Sequence, residues 1–412
     1  MTPGALSLLY APPFSIVARF FITASILGLG GSILSLCMLL SGEFSLQALV
    51  HIFTLGFAAM TMVGALFQML PVVAGAVIEN PLPKAAYTHI TLLSGTLLLV
   101  AGFLYGNKLL LSSGLILVAL SVLFIAPLML YKLFKLKSYT PTSMGMRYAL
   151  GSFIAGTLVG MALVTSLLGK LEINYLRFAE AHFSFMLFGW VGILIASVAF
   201  QVIEMFFVTP PYPKRYANAF HPVVVALLLL YIVLEWWLFK ALLSLLFISF
   251  AFFIVVRLRE RRRKIPDPLI SLWYTGMLFL TASMLLYPFV DFGSKGFLLF
   301  LLLYGVFVHS IILAMMYRII PFLVWLHLSN MGVPDAPTMH EVIRPKKVWI
   351  QFYMHWVSVL LLLTSFFSGF EVLWFICAVS YAVSFGWLFL NLSSGTALFF
   401  KKAGQRDVFP QR

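Results

Sequence analysis

The chain has 412 residues, of which 62% are hydrophobic and 10% charged, and its mean hydropathy is +1.04. No soluble domain buries that much apolar surface, so secreted and soluble-enzyme classes are excluded and a polytopic membrane protein is left. The net charge of +14 does not point to nucleic acid, because the Lys and Arg residues stand in short loops between apolar runs, where they set topology.

Runs of about 20 apolar residues cross a hydrocarbon core of about 30 Å. Twelve occur, near 14–42, 47–76, 86–106, 109–133, 147–169, 176–208, 218–238, 241–257, 269–289, 296–327, 348–368 and 370–399. They predict an all-α fold forming a single transmembrane domain over 1–412. Trp236, Trp237 and Lys240 separate the seventh and eighth spans, as an interfacial aromatic pair with a positive tip does. Cys37 and Cys377 lie alone in the first and last spans, so neither a disulfide framework nor a CxxC metal site is available.

Charge orients the spans. With the N-terminus inside, the inner loops hold Lys84, the group from Lys132 to Arg147, Lys214 and Arg215, and the run from Arg257 to Lys264. Arg344, Lys346, Lys347, Lys401, Lys402, Arg406 and Arg412 fall on the same side, against only Lys108, Lys170, Arg177, Lys240 and Lys295 outside. This positive-inside bias predicts that both termini are cytoplasmic.

Three spans are built alike. Gly56 stands twelve residues before Gln68, Gly189 twelve before Gln201, and Gly305 twelve before Tyr317, with His51, His182 and His309 within seven residues of the three glycines. Spans two, six and ten run in one direction. At 1.5 Å per residue all three histidines fall in the outer half of the bilayer, and Gln68, Gln201, Glu204, Tyr317 and Arg318 in the inner half. Ionisable groups at such depth are costly unless paired, which marks them as functional candidates; Glu204 and Arg318 are one candidate ion pair. His89, His221, His327, His340 and His355 map to the cytoplasmic ends of their spans or to the loop after span ten, where interfacial histidines are solvated or cap helices. The prolines of MGVPDAPTMHEVIRP predict an ordered turn there. No Walker loop, GxGxxG, HExxH or GxSxG pattern stands in a credible context.

A histidine facing the interior of a helical bundle can ligate haem iron, ligate another transition metal, or hydrogen-bond to a neighbour. Twelve spans, a threefold repetition of helices, His51 in HIFTLGFAAMTMVGALFQMLP, His182 in AHFSFMLFGWVGILI and His309 in span ten together resemble the catalytic-subunit fold of the haem-copper oxidase superfamily. The resemblance covers the whole chain in architecture and these three helices in sequence. It implies that His51 and His309 hold a low-spin, b-type haem, and that His182 matches a copper ligand.

The departures are as informative. Phe307 occupies the first place of the family's His-x-His in span ten, span seven has only His221 where the family has a His-His pair, and Met186 replaces the tyrosine that follows the span-six histidine. The resemblance therefore implies a divergent relative that has lost its high-spin haem and copper centre and is not a competent terminal oxidase. If it is an enzyme, it is an oxidoreductase. Electron transfer or a reaction with a diatomic gas, in a bacterial-type inner membrane and with a redox partner protein or other membrane subunits, is the expected setting. Two readings from other classes stand beside it: a secondary transporter with Gln68, Gln201, Glu204, Tyr317 and Arg318 lining a midplane site, and a cofactor-free structural subunit of a respiratory complex.

Overall fold

A computed structural model describes residues 11–404, and Arg406 and Arg412 of the inner-side charge set lie outside the described residues. The chain is an all-helical multi-pass membrane protein. Twelve of its helices are long and apolar enough to cross a bilayer: α1 Phe14–Ser41, α2 Leu46–Ala74, α3 Pro81–Tyr105, α4 Lys108–Phe134, α5 Pro141–Leu167, α6 Tyr175–Phe207, α7 Lys214–Leu234, α8 Trp237–Arg259, α9 Pro268–Phe289, α10 Lys295–Asn330, α11 Pro345–Ser368 and α12 Glu371–Gly404. No strand occurs among the described residues.

Local chemistry sets the helix ends. Ser45, Asn107 and Asn174 accept backbone N–H groups at the starts of α2, α4 and α6, and Thr140 with Ser143 forms a reciprocal box at the start of α5. Pro81, Pro141 and Pro345 occupy the first position of α3, α5 and α11, where a missing N–H costs nothing. The loop after α10 contains a one-turn helix, Met339–Val342, closed by Thr338 and Glu341. Hydrogen bonds from the Thr338 N–H and hydroxyl hold the Glu341 carboxyl below its ordinary range. A carboxylate depressed in this way stabilises the turn above its unfolded-state pKa and ceases to do so as pH falls through the folded value. The protection of the Thr338 amide, its exchange rate taken relative to the intrinsic rate at the same pH, should accordingly fall on acidification through that window.

The chain divides into two compact units. One is built from Leu66–Ile265 and Tyr274–Val308, the other from Pro12–Ala65, Pro266–Trp273 and the chain from His309 onward. In the first, α3 and α4 pack at the closeness that small residues allow: a Cβ on Gly114 would come within 2.3 Å of the Leu99 nitrogen. In the second, α12 packs on both α1 and α11.

The helix repeat has a backbone counterpart. Ile52–Ala59 in α2 and Phe185–Gly192 in α6 are π-helical, each eight residues long, with Gly56 and Gly189 as their fifth residues. Both helices then stop at a left-handed residue nineteen positions beyond that glycine, Gly75 with φ 74° and Val208 with φ 51°. Such π segments concentrate at functional sites. In α10, by contrast, the backbone is α-helical through Gly305. The three spans thus share their sequence spacing, but only two share the backbone device.

Val208 is β-branched where its counterpart is glycine, and left-handed backbone costs an L-residue roughly 1–2 kcal/mol. Its side chain is 42% exposed, so little packing offsets that strain. After allowing for the added freedom of the unfolded glycine chain, Val208→Gly is expected to stabilise the protein by up to about 1 kcal/mol, read as a higher melting temperature in detergent.

Candidate functional site

In the unit that contains His309, the π segment of α2 brings Phe57 edge-on to the His309 ring, with centroids 5.3 Å apart. Phe385 stacks on the same ring at 4.9 Å with an interplanar angle of 10°, Tyr381 lies beyond at 5.9 Å, and His355 meets it edge-on at 4.8 Å. Phe385 reaches this place because Gly28 leaves space on α1, where a Cβ would stand 2.3 Å from the Phe385 ring. His309 Nε2 is buried and has no hydrogen-bond partner. Ser310 Oγ lies 2.8 Å from His355 Nε2, and His355 Nδ1 is buried without a partner.

His51 is not among the ring neighbours of His309. It precedes Phe57 by six residues, up to about 9 Å along the helix, and its Nδ1–H donates to the Gln47 carbonyl at 2.7 Å. A backbone carbonyl on one nitrogen is the arrangement that fixes a ligating imidazole in the Nε2 tautomer. His182 has the same arrangement in the other unit, with its Nδ1–H donating to the Gly156 carbonyl at 2.8 Å. It sits against α5, where a Cβ on Gly160 would approach His182 Cε1 to 2.8 Å.

The residues of the expected haem site fit that group in donor chemistry. His309 offers an unbonded buried nitrogen, and His51 is held in the ligating tautomer. For copper the donor set is too small: among the described residues no three His, Cys, Asp or Glu side chains gather, which leaves His182 as a single imidazole for an ion that takes more ligands.

The inner-half polar set divides by unit. Tyr317 Oη donates to Gln351 Oε1 at 3.0 Å and accepts from Asn391 Nδ2 at 3.1 Å, while Gln351 Nε2 donates to Ser384 Oγ at 2.7 Å. Beside them, Arg318 Nη2 donates to Asp267 Oδ2 at 3.2 Å. In the other unit Glu204 accepts the Tyr212 N–H at 2.8 Å, and both amide atoms of Gln68 are buried without a partner. Gln201 is half-buried. Arg318 is thus bonded to Asp267 within its own unit, and Glu204 to the backbone of the turn that follows its own helix.

The histidines assigned to solvated helix ends need correction. His221 and His355 are completely buried, and His89 is 8% exposed. His221 Nε2 lies 3.2 Å from Ser197 Oγ, inside the space left by Gly145. Only His327 and His340 keep more surface. The sequence reading also passed over Glu180, which takes a hydrogen bond from Tyr231, and assigned Lys240 to the interface, although it is 8% exposed, donates to the Val290 carbonyl at 2.8 Å and lies over the Tyr287 ring. The tyrosine ring and the carbonyl satisfy that ammonium in place of water.

No protein-family model matches the chain, and no curated protein matches it.

Proposed function

We propose that the chain is a haem-binding membrane protein of the haem-copper oxidase subunit I type, divergent and without the dioxygen-reducing centre. The observation that supports this most is His309 itself, a buried imidazole whose Nε2 has no protein partner, beside a π segment of α2. An imidazole buried at membrane depth with an unused nitrogen is costly unless something else engages it. A low-spin haem held there would supply one-electron transfer or the binding of a diatomic gas. His309 would hold that group through its open Nε2. His51, whose Nδ1–H is held by the Gln47 carbonyl, would be the second residue to hold it. The aromatic rings of Phe57, Phe385 and Tyr381 keep water from this nitrogen. His182, bonded to the Gly156 carbonyl of α5, stands alone as a metal donor in this reading, too few ligands for copper.

In this reading the protein lies in a bacterial-type inner membrane with both termini cytoplasmic, as its loop charges favour, and exchanges electrons with a redox partner protein or a neighbouring membrane subunit. Pigment content of the purified chain tests it: a Soret band with about one haem per chain is expected. A colourless protein returns the choice to a transporter, whose support is the hydrogen-bonded set around Tyr317 and Gln351.

A further inference from the structure

The tail of α8 carries the densest run of cations on the chain. Six of the eight residues from Arg257 to Lys264 are Lys or Arg, whereas the turn into α3 manages with Lys84 alone. Orientation in a bilayer needs far less than this. The one acid in the run, Glu260, is taken by Arg257 at 2.5 Å, and among the described residues Arg259, Arg262, Arg263 and Lys264 have no carboxylate partner. All four are exposed.

The surface is also fixed in place. The Arg262 N–H donates to the Val208 carbonyl at 3.2 Å, Arg261 Nη1 donates to the Leu258 carbonyl at 2.9 Å, and Lys264 Nζ donates to the Arg259 carbonyl. These bonds hold the tail of α8 against the turn that ends α6. The head of α7 lies alongside, with Tyr216 Oη 2.9 Å from Ser249 Oγ of α8, and adds the exposed cations Lys214 and Arg215. In the same region Arg257 Nε, Arg261 Nε and Tyr212 Oη are buried and have no hydrogen-bond partner. Cations gathered without acceptors repel one another, and an anion relieves that repulsion.

The flank of α8 decides which anion. Leu245, Phe252 and Arg259 follow one another at intervals of seven residues, so they share one face of the helix, and all three are exposed, Phe252 by 62%. Phe252 lies about 10 Å along the axis from Arg259. A soluble phosphate makes no use of such a stripe, whereas a phosphate joined to an acyl chain matches both the cations and the apolar face beside them. We propose that this surface seats an anionic phospholipid, with its phosphate on Arg259, Arg262 and Arg263 and an acyl chain along Phe252 and Leu245.

The test titrates purified protein in detergent with dioctanoyl phosphatidylglycerol and reads the melting temperature, which does not involve haem. Dioctanoyl phosphatidylcholine supplies the chains without net charge, and glycerol 3-phosphate the phosphate without chains. Phosphatidylglycerol should raise the melting temperature, and the other two should leave it unchanged. Arg262→Gln combined with Arg263→Gln should weaken the response roughly thirtyfold in lipid concentration, about fivefold for each cation removed from beside a lipid phosphate. Lys135→Gln combined with Lys137→Gln, exposed cations beyond α4, should respond as wild type does. If the first pair does not fold, Lys214→Gln with Arg215→Gln takes its place, and a weakened response is again expected. An equal response to phosphatidylcholine overturns the proposal, as does an equal response to glycerol 3-phosphate, which would mark a site for free phosphate. A wild-type response in the α8 pair, or an equal loss in the α4 pair, overturns it too. Binding of polyglutamate without binding of phosphatidylglycerol would assign the surface to an acidic protein and overturn it as well.

Discussion

Arg318→Met is expected to destabilise the protein by about 3–5 kcal/mol, the range for stripping one partner from a buried ion pair. The pair joins Arg318 on α10 to Asp267 at the head of α9, with the two side chains 12% and 28% exposed. Asp267's remaining exposure favours the lower end of that range. Asp267 also caps its helix, since Oδ1 accepts the Leu269 N–H at 2.8 Å. Asp267→Asn removes the charge and keeps that acceptor, so adding it to Arg318→Met should recover much of the loss. Combining Arg318→Met with Glu204→Gln should instead give additive losses, because Glu204 bonds to Tyr212. Unfolding curves in detergent measure both cycles. Recovery by Glu204→Gln, and none by Asp267→Asn, would reinstate the pairing expected from the sequence.

Asp267 was not legible as Arg318's partner, for a physical reason. Counting residues along two helices gives depth and says nothing about which neighbour a side chain meets, and Asp267, between Pro266 and Pro268, reads as part of a linker. His355 was misplaced in the same manner. It stands eight residues beyond Lys347, close enough to the charged end of its span to look interfacial, yet it is completely buried, with His309 and Ser310 of α10 against its ring. The spans themselves were legible, because only a bilayer rewards twelve such apolar runs. Their ends were less so: α5 starts at Pro141 where hydropathy places it at 147, and α7 at Lys214 where it places 218. Capping boxes and first-turn prolines extend helices past the apolar window. The repeat was visible as the twelve-residue interval from a glycine to Gln68, Gln201 and Tyr317. Its π segments were not, since a π turn arises from how a helix packs and carries no fixed residue signature.

Loss of pigment is the largest effect expected of any single substitution. His309→Ala should abolish haem retention or leave a five-coordinate spectrum, because it removes the buried nitrogen on which the site is centred. His51→Ala should convert a six-coordinate spectrum to a five-coordinate one with haem still bound. His182→Ala should leave coordination unchanged, its ring being engaged with Gly156 in the other unit. His355→Gln should also retain haem, which separates the ligand from its neighbour.

The most direct measurement is the absorption spectrum of the purified wild-type chain beside that of His309→Ala at equal protein concentration. A low-spin Soret band at about one haem per chain is expected in the first, and its loss or conversion to a five-coordinate form in the second. A wild-type chain without pigment, or a six-coordinate spectrum that survives His309→Ala, would contradict it.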